Sequence, residues 1–254
     1  MSCLKHLLKA VIPRRHRPAV RRVYFNVRSF FYVGDRFTCP CCGGHFRKFL
    51  TAGLRPRPNA ECPRCGSAER HRLLWLYLKN RTRLFSDKIK ILHFAPEYIF
   101  QRNFRSMSNL EYISTDLDSP SVTFRADITE ISCKDETFDA ILCTHVLEHV
   151  PNDKKAMGEL IRILKPGGWA IVQSPVDQNR SKTLEDPSVV SPEKRKLVFG
   201  QEDHVRVYGR DYKKRLDEAG FSVKLDWYLH ELGQDLIDKH GLSIDEPVYF
   251  CTKH

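Results

Sequence analysis

From about residue 89 to its end, this 254-residue sequence alternates short apolar runs of strand length with segments of helical periodicity, and that alternation restricts the fold more than any other feature. The strand candidates are Ile89 to Phe94, Glu111 to Thr115, Val122 to Arg125, Phe138 to Cys143, Trp169 to Ser174, Phe221 to Leu225 and Val248 to Thr252. Asn152 to Leu164 carries Ala156, Met157, Leu160, Ile161 and Leu164 at helical spacing and stops at Lys165-Pro166-Gly167-Gly168. A second helix is expected from about Arg210 to Ala219, ended by Gly220. Strands alternating with helices form parallel βαβ units, so the expected class is α/β with a doubly wound sheet. The stretch from Pro175 to Arg206 is long, polar and broken by prolines, the pattern of a functional lid or a disordered loop.

Ahead of this region lies a block rich in Cys, Gly and Pro. The chain has 9 cysteines, and four of them form two Cys-x-x-Cys pairs, Cys39/Cys42 and Cys62/Cys65. The short apolar stretch near the start is interrupted by Lys9 and followed by arginines, unlike a secretory signal. An organellar targeting role for this Arg-rich, acid-poor start stays open. Clustered cysteines without an export signal read as metal ligands rather than disulfides. Each pair sits in a knuckle-like turn, Cys39-Pro40-Cys41-Cys42-Gly43-Gly44 and Cys62-Pro63-Arg64-Cys65-Gly66, and two knuckles supply the four thiolates of a closed structural Zn²⁺ site. A redox dithiol and an iron–sulfur cluster are the competing readings. Cys41 is the spare thiol, while Cys133, Cys143 and Cys251 read as buried free thiols. Ser67 to Phe85 is expected to be a helix with Ser67 as N-cap, apolar nearly all round and so buried between two domains. The expected division is a basic segment (1–36), a zinc ribbon (37–67), a connecting helix (68–88) and a large α/β domain (89–254).

The formal net charge is +11, and residues 1–36 carry nine basic side chains against Asp35 alone. Arginines interleaved with Val20, Val23, Tyr24, Val27, Phe30 and Phe31 describe a basic amphipathic helix suited to an anionic membrane surface or an RNA backbone. A solvated helix packed on its own domain fits equally well. No apolar run approaches the roughly 18 residues of a membrane span. The expected location is the cytoplasm, with peripheral contact to the membrane through the basic segment.

In open parallel sheets, ligands bind beyond the carboxyl ends of the strands. The first strand ends in Phe94-Ala95-Pro96-Glu97 and the second in Asp116, which is placed to accept hydrogen bonds from ribose hydroxyls. Asp127 follows the third strand and can accept from an adenine amine. The plain alternative for each aspartate is a cap or a turn residue.

Phe138-Asp139-Ala140-Ile141-Leu142-Cys143-Thr144-His145-Val146-Leu147-Glu148-His149-Val150 resembles the fourth-strand signature of class I methyltransferases, type 11 in particular. Ile163-Leu164-Lys165-Pro166-Gly167-Gly168 is similar to the helix and turn that follow it in that family. The resemblance covers about residues 89–253 and implies a Rossmann-like, seven-stranded sheet with S-adenosylmethionine over the strand ends. It implies that Phe94, Ala95, Pro96 and Glu97 hold the methionine part, that Asp116 and Leu117 meet the ribose, that Asp127 and Ile128 meet the adenine, and that Thr144 and His145 line the floor. The chain departs from the family where a Gly-x-Gly turn is usual: Ala95-Pro96-Glu97 contains no glycine.

Methyl transfer to oxygen or nitrogen needs alignment and often a base, and the histidine candidates are His145, His149 and His204. His149 and His204 are taken as the catalytic pair. The whole layout is similar to a bacterial group associated with surface-glycan synthesis, which implies a small-molecule or saccharide hydroxyl acceptor. A ribbon-bearing ribosomal RNA methyltransferase and a non-catalytic binding module are the other two classes.

Overall fold

The computed structural model describes residues 17–53, 56–243 and 246–254. Lys5, Lys9, Arg14 and Arg15 of the basic segment lie outside them. The chain divides into two units. One holds the described residues through Arg81 and the segment that begins at Leu229. The other holds Thr82–Tyr228 and Glu246–His254.

The first unit opens with helix α1 (Arg17–Phe30). The short strands β1 (Val33–Thr38) and β2 (His45–Phe46) pair antiparallel, as do β3 (Leu50–Ala52) and β4 (Arg57–Glu61). Helix α2 (Glu69–Arg81) follows, shorter at both ends than the sequence pattern suggested. Ser67 lies ahead of the helix, and its hydroxyl sits 3.2 Å from the sulfurs of both Cys39 and Cys65. Those sulfur contacts replace the capping role expected of it. Arg72 is fully buried in α2, and all five of its N–H groups reach backbone carbonyls, those of Asn59, Ala60, Ser67, His240 and Gly241. The side chain thereby pins the helix to the second hairpin and to the turn after the short helix Gln234–His240. That helix belongs to the first unit, although in sequence it falls between two stretches of the second.

The second unit is built on a seven-stranded sheet. Its strands are β5 (Ile89–Phe94), β6 (Leu110–Asp116), β7 (Phe124–Arg125), β8 (Phe138–Thr144), β9 (Leu164–Gln173), β12 (Ser222–Asp226) and β13 (Val248–Thr252), in the order β12-β13-β9-β8-β5-β6-β7. All neighbours run parallel except β13, which is antiparallel to both β9 and β12. β8 reads as an almost unbroken apolar run because it lies in the sheet centre, covered on both faces. Helix α3 (Tyr98–Phe104) follows the first strand of the sheet. Helix α4 (Asp153–Ile163) is capped by Asn152, whose Oδ1 accepts from the Lys155 amide at 3.0 Å. Eleven residues are too few for a stable isolated helix. Fully burying Met157, Leu160 and Ile163 contributes about 1.5–3 kcal/mol each, so packing on the sheet, not propensity, holds it there.

Lys165-Pro166-Gly167-Gly168 does end the helix, but it lies inside β9 as a bulge. Phe138 pairs with Leu164 and Ala140 with Trp169, so two steps on β8 face five on β9. The Pro175 to Arg206 stretch is ordered rather than loose. It carries β10 (Leu184–Glu185), helix α5 (Pro192–Phe199) and the start of β11 (Arg206–Val207). The buried Arg206 anchors its end, donating to the carbonyls of Leu147, Val150 and Pro151 and pairing with Glu185. Helix α6 (Tyr212–Glu218) comes next, and Gly220 takes the left-handed φ of +105° that lets the chain turn into β12.

Candidate functional sites

The two Cys-x-x-Cys turns are superimposable in their hydrogen bonding. In the first, the Gly43 amide donates to the Cys39 carbonyl at 2.8 Å and the Cys39 amide to Gly44. In the second, Gly66 donates to Cys62 at 2.9 Å and Cys62 to Ser67. Both turns need a left-handed residue after the second cysteine, and Gly43 and Gly66 supply it at φ +67° and +71°. The sulfurs of Cys39, Cys42, Cys62 and Cys65 lie within 4.8 Å of one another. Cys39 to Cys65 is 3.6 Å and Cys42 to Cys62 is 3.8 Å. A tetrahedron with Zn–S bonds of about 2.3 Å has edges of about 3.8 Å, which these two separations match. Cys41 stands outside the cluster, its thiol pushed up by burial and directed at the His71 carbonyl.

The second site lies beyond the carboxyl ends of β5, β6 and β8, where the strand order reverses. A cleft of about 740 Å³ opens there, within the range of small-ligand sites. Of the residues expected to bind a cofactor, Phe94, Ala95, Asp116, Leu117, Asp127, Ile128 and His145 line it, together with His149. Asp116 and Asp127 are held alike. Oδ1 of Asp116 accepts from the amides of Asp118 and Ser119, at 2.8 and 2.7 Å. Oδ1 of Asp127 accepts from the amide and hydroxyl of Thr129, bonds that hold its carboxyl below the usual range. In each aspartate this Asx-type turn fixes the carboxylate and leaves Oδ2 for a ligand. Leu117 is 62% exposed on the cleft, an apolar surface suited to a flat ring.

Pro96, Glu97 and Thr144 are not among the residues lining the cleft; Glu97 and Thr144 form a brace with His93 and Tyr112. Thr144 Oγ1 donates to Glu97 Oε1 at 2.7 Å, and His93 Nε2 meets Glu97 Oε2 at 3.0 Å. His93 is wholly buried, and its Nδ1 lies 3.1 Å from the Tyr112 hydroxyl. The glycine-free turn is therefore held by a polar chain that crosses three strands. Ala95 adopts φ +43° and His145 φ +55°, both left-handed and both at the cleft. Non-glycine residues in that region store strain of order 1–3 kcal/mol and gather at ligand sites. Nothing in the sequence marks either position as strained.

His204 comes from the far end of the long Pro175 to Arg206 stretch, and its ring meets that of His149 edge-on with centroids 4.7 Å apart. Burial, reinforced by the neighbouring His149 imidazole, lowers the His204 pKa. Beside them, Glu148 is 2% exposed and accepts from Ser174 Oγ at 2.9 Å. Burial opposes ionisation of this carboxyl, but hydrogen bonds from His145 and Ser174 hold it below the usual range. Sequence reasoning passed over Glu148 because one glutamate in an apolar run carries no signal of its own.

The family described as "Methyltransferase domain" matches residues 103–172. The ubiquinone/menaquinone biosynthesis C-methyltransferase UbiE of Klebsiella pneumoniae is 25% identical over 146 residues, 56% of this chain and 52% of that protein. An uncharacterised protein of Methanocaldococcus jannaschii is 53% identical over 47 residues, 18% of this chain and 20% of that one. The chain thus spans from a fifth to about half of the length of these curated relatives. Among solved structures, the [4+2]-cyclase SpnF aligns with a TM-score of 0.53 at 16% identity, covering 93% of this chain and 96% of that one. That likeness is one of fold.

Proposed function

We propose that this chain, a class I methyltransferase in fold and family with a four-cysteine module ahead of its sheet, binds S-adenosylmethionine in the strand-end cleft and methylates the hydroxyl of a small molecule or saccharide. One observation carries the reading. The cleft is lined by Asp116, Asp118, Asp127 and Asp203 and, among the described residues, by no lysine or arginine. An anionic wall favours a sulfonium cofactor and a neutral acceptor, and it repels the phosphates of RNA. When bound, the cofactor supplies a methyl group activated on a sulfonium. Asp116 would hold the ribose, Asp127 and Ile128 the adenine, and the strained turn at Ala95 the methionine end. His149 and His204 would stand on the acceptor side, beside the hydroxyl whose proton is lost as the new bond forms. Zn²⁺ in the four-cysteine cluster would be structural, because four thiolates leave no open position.

The test is calorimetric titration of the zinc-replete protein with S-adenosylmethionine and S-adenosylhomocysteine. Asp116→Ala is expected to weaken both by about 10- to 100-fold, the worth of hydrogen bonds to a charged group at about 1.5–3 kcal/mol. No binding by the folded parent protein sinks the enzyme reading in favour of a binding module.

The basic helix has a reading of its own. One side of α1 docks on the second knuckle: Phe25 is buried against Gly66, and Arg28 reaches the carbonyls of Cys62 and Pro63 and pairs with Glu61. Its other side exposes Val20, Val23, Tyr24, Val27 and Phe30, with Phe31 just beyond, and Phe30 is 78% exposed. Phosphate binding has no use for such a stripe, whereas an anionic bilayer takes both the stripe and the exposed Arg21 of the same helix. We assign this face to an anionic lipid surface. The full chain is expected to float with phosphatidylserine vesicles, not with phosphatidylcholine ones, and a Val27→Glu/Phe30→Glu variant is expected to stay behind. Equal flotation of that variant, or salt-sensitive RNA binding in place of flotation, would overturn the assignment.

A further inference from the structure

We propose that Glu148, His149 and His204 form a second metal site, distinct from the cysteine cluster, which takes a divalent first-row transition cation and through it grips the hydroxyls of the acceptor. The proposal rests on the reading of the cleft as a methyl-transfer site. Each of the three residues offers one ligand atom, and these atoms lie within 4.8 Å of one another.

The surrounding groups are those that a ligand set needs. Glu148 and His204 are buried, at 2% and 7% exposure, while His149 lines the cleft, so a cation there is held by protein on one side and reachable from the other. Ser174 Oγ orients the carboxylate from behind at 2.9 Å. His149 Nδ1 lies 3.2 Å from the Asp203 carbonyl and 3.4 Å from its carboxylate. A proton on Nδ1 satisfies both oxygens and leaves the Nε2 lone pair for a metal, the familiar way in which an outer carboxylate sets the tautomer of a ligating histidine. Hydrogen bonds hold the two halves in place: the Val205 amide donates to the Glu148 carbonyl at 2.9 Å, and the Arg206 guanidinium donates to the carbonyls of Leu147 and Val150. A buried carboxylate facing two imidazoles also needs a positive partner. Among the described residues Glu148 forms its ion pair with His145, at 3.3 Å, and that histidine is charged only when protonated.

Two histidines and one carboxylate leave up to three open positions on a six-coordinate cation. Two adjacent hydroxyls of a sugar or another vicinal diol would fill two of them, which names the acceptor class. The cation lowers the pKa of the coordinated hydroxyl. Its O–H bond breaks, the proton passing to the half-exposed imidazole of His145, and the oxygen lone pair forms the new C–O bond. The methyl–sulfur bond breaks with its electron pair left on sulfur, and neutral thioether is the by-product.

The test is titration of the zinc-loaded full chain with Mn²⁺, followed by the loss of the free-ion signal in electron paramagnetic resonance. Calorimetry with S-adenosylmethionine is run in parallel. One Mn²⁺ per chain is expected, abolished in Glu148→Gln and in His204→Ala, while both variants keep S-adenosylmethionine binding. Ser174→Ala, which removes only the outer hydrogen bond, is expected to weaken Mn²⁺ by about tenfold. A parent chain that binds S-adenosylmethionine but no Mn²⁺ overturns the metal site alone. Undiminished Mn²⁺ binding in Glu148→Gln and His204→Ala overturns it as well. A parent chain that binds Mn²⁺ at these residues but no S-adenosylmethionine upholds the metal site and overturns the cleft reading.

Discussion

Stripping metal from the four-cysteine cluster is expected to unfold residues 37–67 and to loosen α2 behind them. The hairpins there are two to six residues per strand, too short to stand without a cross-link. Their apolar content is small as well, chiefly Phe37, Phe46 and Phe49 with the helix residues Leu73, Leu74, Tyr77 and Leu78. Structural zinc contributes about 10–16 kcal/mol of apparent binding free energy at neutral pH, and in a module this small that is folding free energy. Arg72 shares the dependence, because two of its acceptors, Ala60 and Ser67, flank the second knuckle. Hydrogen-exchange mass spectrometry after chelation should show lost amide protection across both knuckles and α2, restored by added Zn²⁺. Cys62→Ser should show the same loss in the presence of metal. Unchanged protection in the chelated protein would mean that the cluster is not a metal site that supports the fold.

Glu97→Ala is expected to destabilise the second unit by about 3 kcal/mol, since each buried polar group left without its partner costs about 1–3 kcal/mol. Two groups are orphaned, the His93 imidazole at zero exposure and the Thr144 hydroxyl. For a domain of this size the loss corresponds to a melting temperature lower by about 6–12 °C. The same change releases the turn that carries Ala95, so S-adenosylmethionine affinity should fall with it. Glu97→Gln separates packing from charge. Its carbonyl oxygen still accepts from Thr144, and its amide donates to His93 in the alternative tautomer, so most of the stability should return. A Glu97→Ala protein that melts at the parent temperature would show that the brace carries no load.

This brace also explains why part of the site was legible in the sequence and part was not. Asp116 and Asp127 announce themselves because their roles are local: Asp116 ends its strand, Asp127 comes two residues after its own, and each is held by amides two or three residues on. The cysteine ligands do so for the same reason, since each knuckle closes on itself within five residues. His93, Glu97 and Thr144 carry no such mark. Glu97 and Thr144 are 47 positions apart and meet only because β5 lies beside β8 in the sheet. The family resemblance gives Glu97 to the methionine part of the cofactor, whereas the fold uses its carboxylate to brace the turn.

The sequence by itself determined the α/β class, the succession of strands and the two cysteine knuckles, because strand and helix periodicities and tight turns are set by neighbouring residues. It also placed the helix stop at Lys165-Pro166-Gly167-Gly168. It did not determine that this stop becomes a bulge within β9, that the Pro175 to Arg206 stretch is ordered, or that the helix Gln234–His240 returns to the first unit. It named His149 and His204 together, but it did not bring Glu148 to them. Those outcomes depend on which distant surfaces pack together and on where buried polar groups find partners. Both are properties of the closed structure, because an arginine such as Arg206 can satisfy its donors only after the chain has come back to the carbonyls that receive them.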